Sequence, residues 1–173
     1  ISTSDTEVII NGYLEWGQGI FEKLIGAFAL VIYNKEASEL VFARDRVGEK
    51  PLFYSVVDEG ILFSSEIKPL LEFPMIGRHI NKDSFHHLFE YGYTKRDRTI
   101  FNNIKKLTPG SLLTFNLHDR SYEISKFWEM PVDLIGKKFK EKDKTNNSPI
   151  LLNKLEVLLH NSVESQLNAD VPV

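Results

Sequence analysis

The most constraining feature of this chain is residues 27–33, Ala-Phe-Ala-Leu-Val-Ile-Tyr, an unbroken run of apolar and aromatic side chains. Successive side chains of a β-strand point to opposite faces of its sheet, so this strand needs a covering layer on both sides. Residues 34–38 are typical of a turn, and residues 39–44 form the predicted return strand of a hairpin. The pattern therefore favours two stacked sheets flanked by helices.

Further strands are predicted in pairs, each joined by a short polar turn. One pair is 52–57 with 61–64, joined at residues 58–60, and the other is 111–117 with 121–127. Together with the first hairpin, these strands predict a sheet-rich, sandwich-like body of the α+β class.

The first helix is predicted near residues 5–15, where apolar residues return at helical spacing. The four residues Ser4-Asp5-Thr6-Glu7 are typical of a capping box, in which Ser4 accepts from the backbone N–H of Glu7. Asp5 then lies in the first turn of the helix. A short second helix is predicted near residues 18–24.

Other short elements depend on single capping residues or on one apolar face. The predicted elements are a helix at 66–72 capped by Ser65, a helix at 82–91 with Phe85, Leu88 and Phe89 inward, and a helical turn at 100–105 capped by Thr99.

The last part of the chain changes composition. Residues 136–147 are polar and rich in lysine, which is typical of a linker. Apolar residues then return at helical spacing from 150 to 168, with Ser148 as the expected cap and Pro149 at the first helical position. The chain is therefore predicted to contain a sheet-rich body, a linker and one amphipathic helix that belongs to a following domain.

The composition excludes several classes of protein. Net charge is −3, which gives no attraction to nucleic acid or to an anionic membrane. No apolar run has membrane-spanning length, and no signal peptide is visible. Cysteine is absent, which excludes disulfides and a thiolate nucleophile from this stretch. We therefore expect a cytoplasmic protein with no nucleic-acid or membrane partner.

Two charged segments and the histidines are the candidates for chemistry. Asp5 can complement the helix dipole or accept hydrogen bonds from a substrate ammonium, and the residues alone favour the first role. The segment Arg44–Leu52 is either an anion cradle or, more often for such runs, a solvated turn with an internal ion pair. His86 and His87 are adjacent on one helix and face different ways, so no histidine metal site is expected.

Beyond periodicity, the chain contains eight short blocks in a characteristic order. The blocks are Ser4–Ile9, Gly26–Ala29, Ala43–Tyr54, Phe63–Lys68, Tyr91–Tyr93 with Arg98–Phe101, Ile104–Gly110, Phe127-Trp128 and Asp170–Pro172. Each block alone is weak, but their order and spacing resemble those of glutamine-hydrolysing asparagine synthetases along almost the whole chain.

The resemblance implies a fold and a domain arrangement. The fold is a four-layer α-β-β-α sandwich of the N-terminal nucleophile hydrolase type, incomplete here, followed by the first helix of an α/β nucleotide-binding synthetase domain. The implied domains are 1–131, the C-terminal part of the glutaminase (glutamine amidotransferase type 2) domain, then 132–147, a linker, and 148–173, the start of the synthetase domain. The nucleophilic cysteine is expected upstream of this stretch and the ATP loop downstream.

The resemblance also implies an activity. The intact enzyme would be an ATP-dependent asparagine synthase that hydrolyses glutamine and uses the ammonia to convert aspartate to asparagine. Its cofactors would be ATP and Mg²⁺, with none expected on this stretch, and its partners glutamine, aspartate and ATP, with a homodimer as one expected assembly. By its place in the Ser-Asp-Thr-Glu block, Asp5 matches the family's aspartate that binds the α-amino group of glutamine.

Two other hypotheses stay open from the sequence. One is a related amidotransferase or β-lactam synthetase with another acceptor, and the other is a non-catalytic binding remnant. No catalytic, cofactor-binding or metal-binding residue is assigned in this stretch, and the stretch alone is expected to be inactive. Thr3 stands where many relatives have glycine, so the backbone beside Ser4 is expected to differ in conformation from that of those relatives.

Overall fold

The computed structural model describes residues 4–132 and 148–167, so most of the predicted linker lies outside the described residues. The chain divides into two compact units, Ile1–Glu129 and Met130–Val173. The elements in chain order are α1 (Asp5–Trp16), a 3₁₀ turn (Gly17–Gly19), α2 (Ile20–Lys23), β1 (Ala29–Asn34), β2 (Glu39–Arg44), β3 (Phe53–Val57), β4 (Gly60–Ser64), α3 (Ile67–Leu70), α4 (Lys82–Tyr91), β5 (Lys105–Lys106), β6 (Ser111–Asn116), β7 (Tyr122–Lys126) and α5 (Ser148–Gln166).

The strands form two antiparallel sheets. Sheet A has the order β1-β2-β6-β7, and its register places Val31 opposite Phe42 and Phe42 opposite Leu113. Sheet B has the order β4-β3-β5. The predicted hairpins and the α+β class are confirmed, with strand ends displaced by at most two residues.

Sheet A is packed on both faces, as the apolar run at residues 27–33 predicts. On one face, Phe42, Leu113 and Phe115 form a buried cluster with Tyr54 of sheet B. The two sheets therefore share a core, and burying each of these large side chains stabilises the fold by roughly 1.5–3 kcal/mol.

Helices cover the opposite face of sheet A. There, Val41 of β2 packs with Ile20 and Phe21 of α2, because alternate side chains of β2 point away from sheet B. The far face of sheet B has its own small core, in which Leu70 of α3 is buried and contacts Phe53 of β3. Each sheet is thus apolar on both faces.

Strand β1 is an edge strand of sheet A, and its side chains are only partly buried. Val31 packs against the core shared by the sheets, whereas Leu30 and Ile32 pack against the helical side. Near the end of the strand, Tyr33 is 57% exposed. Both faces of β1 therefore contact the core without being fully covered by the described residues.

Two of the predicted caps were wrong. Ser65 does not cap α3, whose first capping position is Glu66; instead the hydroxyl of Ser64 accepts from the Glu66 backbone N–H at 3.2 Å. Thr99 does not begin a helical turn, because its buried hydroxyl donates to the backbone carbonyl of Ile104 at 2.7 Å and closes a non-helical loop. In both cases a local hydrogen bond to another backbone group replaces the predicted cap.

In helix α4 the predicted inward orientation was wrong for Phe85 and Phe89, which are exposed, whereas Leu88 is partly buried. Asn81 caps the helix by accepting from the Ser84 backbone N–H at 2.9 Å. Phe85 is 41% exposed and Phe89 is 78% exposed, whereas Ser84 is buried. Helical spacing marks an apolar stripe, but it does not show whether a covering layer exists among the described residues.

Helix α5 belongs to the second unit and confirms the helix predicted at 150–168, although Ser148, the expected cap, is already its first residue. Its described side chains are exposed, including those of Leu155, Leu159 and Val163. Among the described residues, no helix combines the length and apolar character that crossing a membrane requires.

Candidate functional site

The start of α1 is built by a helix cap. Ser4 has the extended backbone of a capping residue, and its hydroxyl accepts from the Thr6 backbone N–H at 3.3 Å. The Glu7 backbone N–H bonds instead to the Ser4 carbonyl at 3.0 Å. The predicted cap is confirmed at Ser4, but its side-chain partner is Thr6 rather than Glu7.

Asp5 is the first residue of α1, and its side chain is exposed. Among the described residues, no hydrogen bond or ion pair engages its carboxylate. The N-terminus of a helix favours a negative charge, so the carboxylate is electrostatically supported there while remaining open to a further partner. Such an oxygen pair can accept charge-assisted hydrogen bonds from an ammonium group.

A cavity of about 710 Å³ lies between α1 and β1. Thr6, Ile9 and Tyr13 of α1 line one side, and Leu30 of β1 lines the other. The walls are mostly apolar, so this space can accept apolar atoms. Thr6, which follows Asp5 in α1, is part of its lining. Asp5 itself is not among the lining residues.

The second candidate, the segment Arg44–Leu52, is a turn whose first two residues, Arg44 and Asp45, are buried. Asp45 is only 1% exposed, and its carboxylate accepts from the backbone N–H groups of Val47, Glu49 and Lys50 at 2.9–3.1 Å. The expectation of a solvated turn therefore fails for Arg44 and Asp45, which are buried, but holds for Glu49 and Lys50, which are exposed. The anion cradle stays a prediction.

The side chain of Arg44 is likewise bonded to the backbone of the chain itself. Its guanidinium donates to the backbone carbonyls of Gly48 and Leu107 at 2.6 Å and of Lys50 at 2.7 Å. Burial lowers the pKa of Arg44, while the neighbouring carboxylate of Asp45 opposes that change. All these donors point to the chain itself, so the turn serves the fold.

The backbone donors also set the ionisation of Asp45. Burial alone would raise the pKa of this carboxyl, but the hydrogen bonds from Lys50, Glu49, Gly48 and Val47 outweigh it and hold the pKa below its usual value. The charged form of Asp45 is therefore the one that the turn binds.

No hydrogen bond or ion pair joins Asp5 to the Arg44–Asp45 turn within the described ranges. Nor does any group of three or more His, Cys, Asp or Glu side chains there have the geometry to hold a metal ion. Asp5 is thus the sequence-predicted residue whose functional group is available, and the turn is a separate part of the scaffold.

Sequence analysis missed a polar cavity of about 510 Å³ beside α4. Its lining includes His87 and the tyrosines on either side of Gly92. The block Tyr91-Gly92-Tyr93 was a signal for it, because Gly92 has φ +79° and ends the helix so that the chain turns back. Periodicity alone did not reveal that these rings meet.

A comparison with protein families identifies the family of this chain. Residues 1–128 match the family described as "Glutamine amidotransferase domain". The chain belongs to this family. The stretch of the amidotransferase domain that matches includes α1, both sheets and α4.

Comparison with curated proteins agrees with the family and confirms the resemblance predicted from the eight blocks. The chain is 32% identical to "Asparagine synthetase [glutamine-hydrolyzing] 3" of Bacillus subtilis (strain 168) over 173 residues, covering 99% of this chain and 26% of the relative. It is 31% identical to "Putative asparagine synthetase [glutamine-hydrolyzing] 2" of Methanocaldococcus jannaschii, covering 98% of this chain and 32% of the relative.

A third relative carries a different name. The amidotransferase chain is 28% identical to "Amidase chry2" of Gibberella zeae, covering 100% of this chain and 24% of the relative. The chain thus spans about a quarter to a third of the length of these curated relatives.

Proposed function

We propose that this chain is part of a glutamine-dependent asparagine synthetase and that Asp5 binds the α-amino group of glutamine. The single observation that carries the role of Asp5 is an exposed carboxylate, unpaired among the described residues, at the capped start of α1 in a glutamine amidotransferase domain. An ammonium at this position would offer three donors to the carboxylate and neutralise its charge.

The proposed reaction needs a nucleophile from outside this chain, since the sequence contains no cysteine. A thiolate would attack the side-chain amide of glutamine and release ammonia. Asp5 would hold the substrate by its α-ammonium, away from the amide carbon, so its role is binding rather than bond breaking. In the second reaction, ammonia would convert aspartate to asparagine, as the names of the relatives suggest.

ATP and Mg²⁺ belong to the proposed second reaction, but the described residues do not fit them. No cluster of carboxylates in the described ranges has metal-binding geometry, and no glycine-rich phosphate loop is present in the sequence. We therefore derive no step through either group from this chain. The proposed domains are 1–131, 132–147 and 148–173, as the resemblance implies.

The proposed fold is the four-layer sandwich of the N-terminal nucleophile type. It is supported by the edge position of β1, which is bordered by the cavity of about 710 Å³ and by a second of about 460 Å³ lined by Leu40, Leu52 and Phe63. An additional strand pairing with β1 would extend sheet A and send side chains towards both cavities.

Asp5→Asn in the intact amidotransferase tests the proposed role. We expect kcat/KM for glutamine to fall roughly 10- to 150-fold, because a charge-assisted contact is worth about 1.5–3 kcal/mol. Activity with free ammonia as nitrogen source should be unchanged, since ammonia does not need the glutamine site. Steady-state assays with each nitrogen source measure both.

Glu15→Gln is the matched control, because it removes an equally exposed carboxylate from the same helix. Equal losses with glutamine and with ammonia in Asp5→Asn would contradict the role, as would a loss of the same size in Glu15→Gln. The acceptor is tested separately by supplying aspartate or other carboxylic acids with ATP. Asparagine formation supports the synthetase assignment, and amidation of another acid alone would overturn it.

A further inference from the structure

The polar cavity beside α4 is distinct from the start of α1 and has no role in the proposed reaction. It lies between α4 and the loop at 92–98, and its volume of about 510 Å³ is large enough for a small molecule. Its lining side chains are charged, polar or aromatic rather than aliphatic. The lining therefore favours a ligand that is itself charged.

Charges of both signs meet in this cavity. Lys95 and Arg98 come from the loop, and Asp83 and Glu90 come from α4. Within the described residues, no ion pair joins any of these four side chains to another residue. The two cations and two carboxylates sum to no net charge with the histidines neutral.

One wall of the cavity is a packed group of aromatic rings. His87 lies 4.6 Å from the Tyr91 ring and 5.0 Å from the Tyr93 ring, measured between centroids. Its Nδ1 is 2.8 Å from the Tyr93 carbonyl oxygen, which only accepts, so Nδ1 carries a proton and donates to it. Tyr91 and Tyr93 are 55% and 61% exposed, which leaves ring surface open to a ligand.

Ser84 adds an independent observation. It also lines the cavity and is 97% buried, yet its hydroxyl has no hydrogen-bond partner among the described residues. A buried hydroxyl without a partner is costly, so a ligand group that bonds to it would gain affinity. The backbone N–H of Ser84 is already occupied by the Asn81 cap, so the start of the helix is not the binding element.

We propose that this cavity binds a zwitterionic α-amino acid. Its carboxylate would pair with Lys95 and Arg98, its ammonium with Asp83 and Glu90, and its side chain would rest on the exposed tyrosine rings. The zero net charge of the lining disfavours a polyphosphate, whereas a zwitterion matches both signs at once. Because the proposed reaction consumes and produces amino acids, such a site would let their concentration act on the domain.

Isothermal titration calorimetry on the intact amidotransferase tests the proposal. The Asp5→Asn variant is used throughout, so that glutamine held at the start of α1 is not counted. The probes are L-phenylalanine, L-asparagine and L-glutamine, with 3-phenylpropanoate and phenethylamine as analogues that lack the amine or the carboxylate. We expect saturable binding of at least one amino acid and at least tenfold weaker binding of both analogues.

Variants assign the binding to this cavity. Arg98→Ala should weaken it at least tenfold and Arg98→Lys should restore most of it, whereas Lys35→Ala, which removes an exposed cation that lines a different cavity, should leave it unchanged. No saturable binding, equal binding of the analogues, or binding indifferent to Arg98→Ala would each overturn the proposal. None of these outcomes bears on Asp5, whose test is the glutamine kinetics.

Discussion

Asp5 and Asp45 sit in charged segments of similar appearance, yet their surroundings differ completely. Asp5 is exposed, and no described residue bonds to its carboxylate. Asp45 is 1% exposed and accepts from three backbone N–H groups. A buried carboxylate that accepts three hydrogen bonds from the chain itself serves the fold, whereas an exposed one at a helix start can serve a ligand. Four comparisons of variants test this difference, the first with the largest expected effect.

Asp45→Ala should destabilise the amidotransferase domain by about 3–5 kcal/mol, since it leaves Arg44 buried without its counter-charge and three backbone donors without an acceptor. Urea unfolding followed by circular dichroism measures the free energy of unfolding. Asp5→Ala is the comparison and should change that energy by no more than about 0.5 kcal/mol. Similar losses in the two variants would contradict the division between a structural and an open carboxylate.

Gly48→Ala tests how the turn brings its donors to Asp45. Gly48 has φ +71°, and a Cβ atom there would lie 2.7 Å from Pro109 Cγ and 3.0 Å from Arg44 Cζ. We expect a loss of about 2–4 kcal/mol in the free energy of unfolding, from the strained backbone and the steric clash together.

Gly17→Ala is the matched control for that variant. Gly17 also has a positive φ, +55°, but a Cβ atom there would meet nothing within 4 Å. It should therefore lose only the backbone part, about 1–2 kcal/mol. If both variants lose the same amount, the close packing of Gly48 against Arg44 and Pro109 does not matter for stability.

The comparison of Asp5 with Asp45 also shows which structural features could be predicted from the sequence. The strands and their hairpin pairing were predictable, because the apolar runs at residues 27–33 and 39–44 and the short turn between them carry that information locally. The structural role of Arg44 was not predictable, because the Leu107 carbonyl to which its guanidinium donates lies 63 positions along the chain. The exposed face of α4 was missed because spacing does not identify a covering partner.

In the candidate site, too, the features encoded by a few neighbouring residues could be predicted and the others could not. The capped helix and the position of Asp5 in its first turn could be predicted, since a cap is a local pattern of four residues. Its role in binding glutamine came from the resemblance to a family and stays a prediction. The cavity at His87 was not predicted, because Gly92 signals only that the helix ends and not that Tyr93 returns to contact His87.

Lowering the pH should remove part of the free energy of unfolding that Asp45 contributes. Its pKa in the fold lies below the usual value, so the ionised carboxylate stabilises the fold above about pH 4, and this contribution is lost as pH falls through the lowered pKa. The difference in free energy of unfolding between wild type and Asp45→Asn should therefore narrow from pH 6 towards pH 2, as measured by urea unfolding. A constant difference over that range would show that the charge on Asp45 is not what the turn binds.

Ser4→Ala should have the smallest effect, about 0.5 kcal/mol, because the bond from the Thr6 N–H is long at 3.3 Å and exposed. Asn81→Ala is the comparison and should lose about 1 kcal/mol, since the equivalent bond in α4 is 2.9 Å and partly buried. Urea unfolding of both variants measures the ranking. A loss above about 2 kcal/mol in Ser4→Ala would mean that the start of α1 is tied to the core. Kinetic losses in Asp5→Asn would then need correction for unfolding, whereas a small loss lets them be interpreted directly as lost glutamine binding.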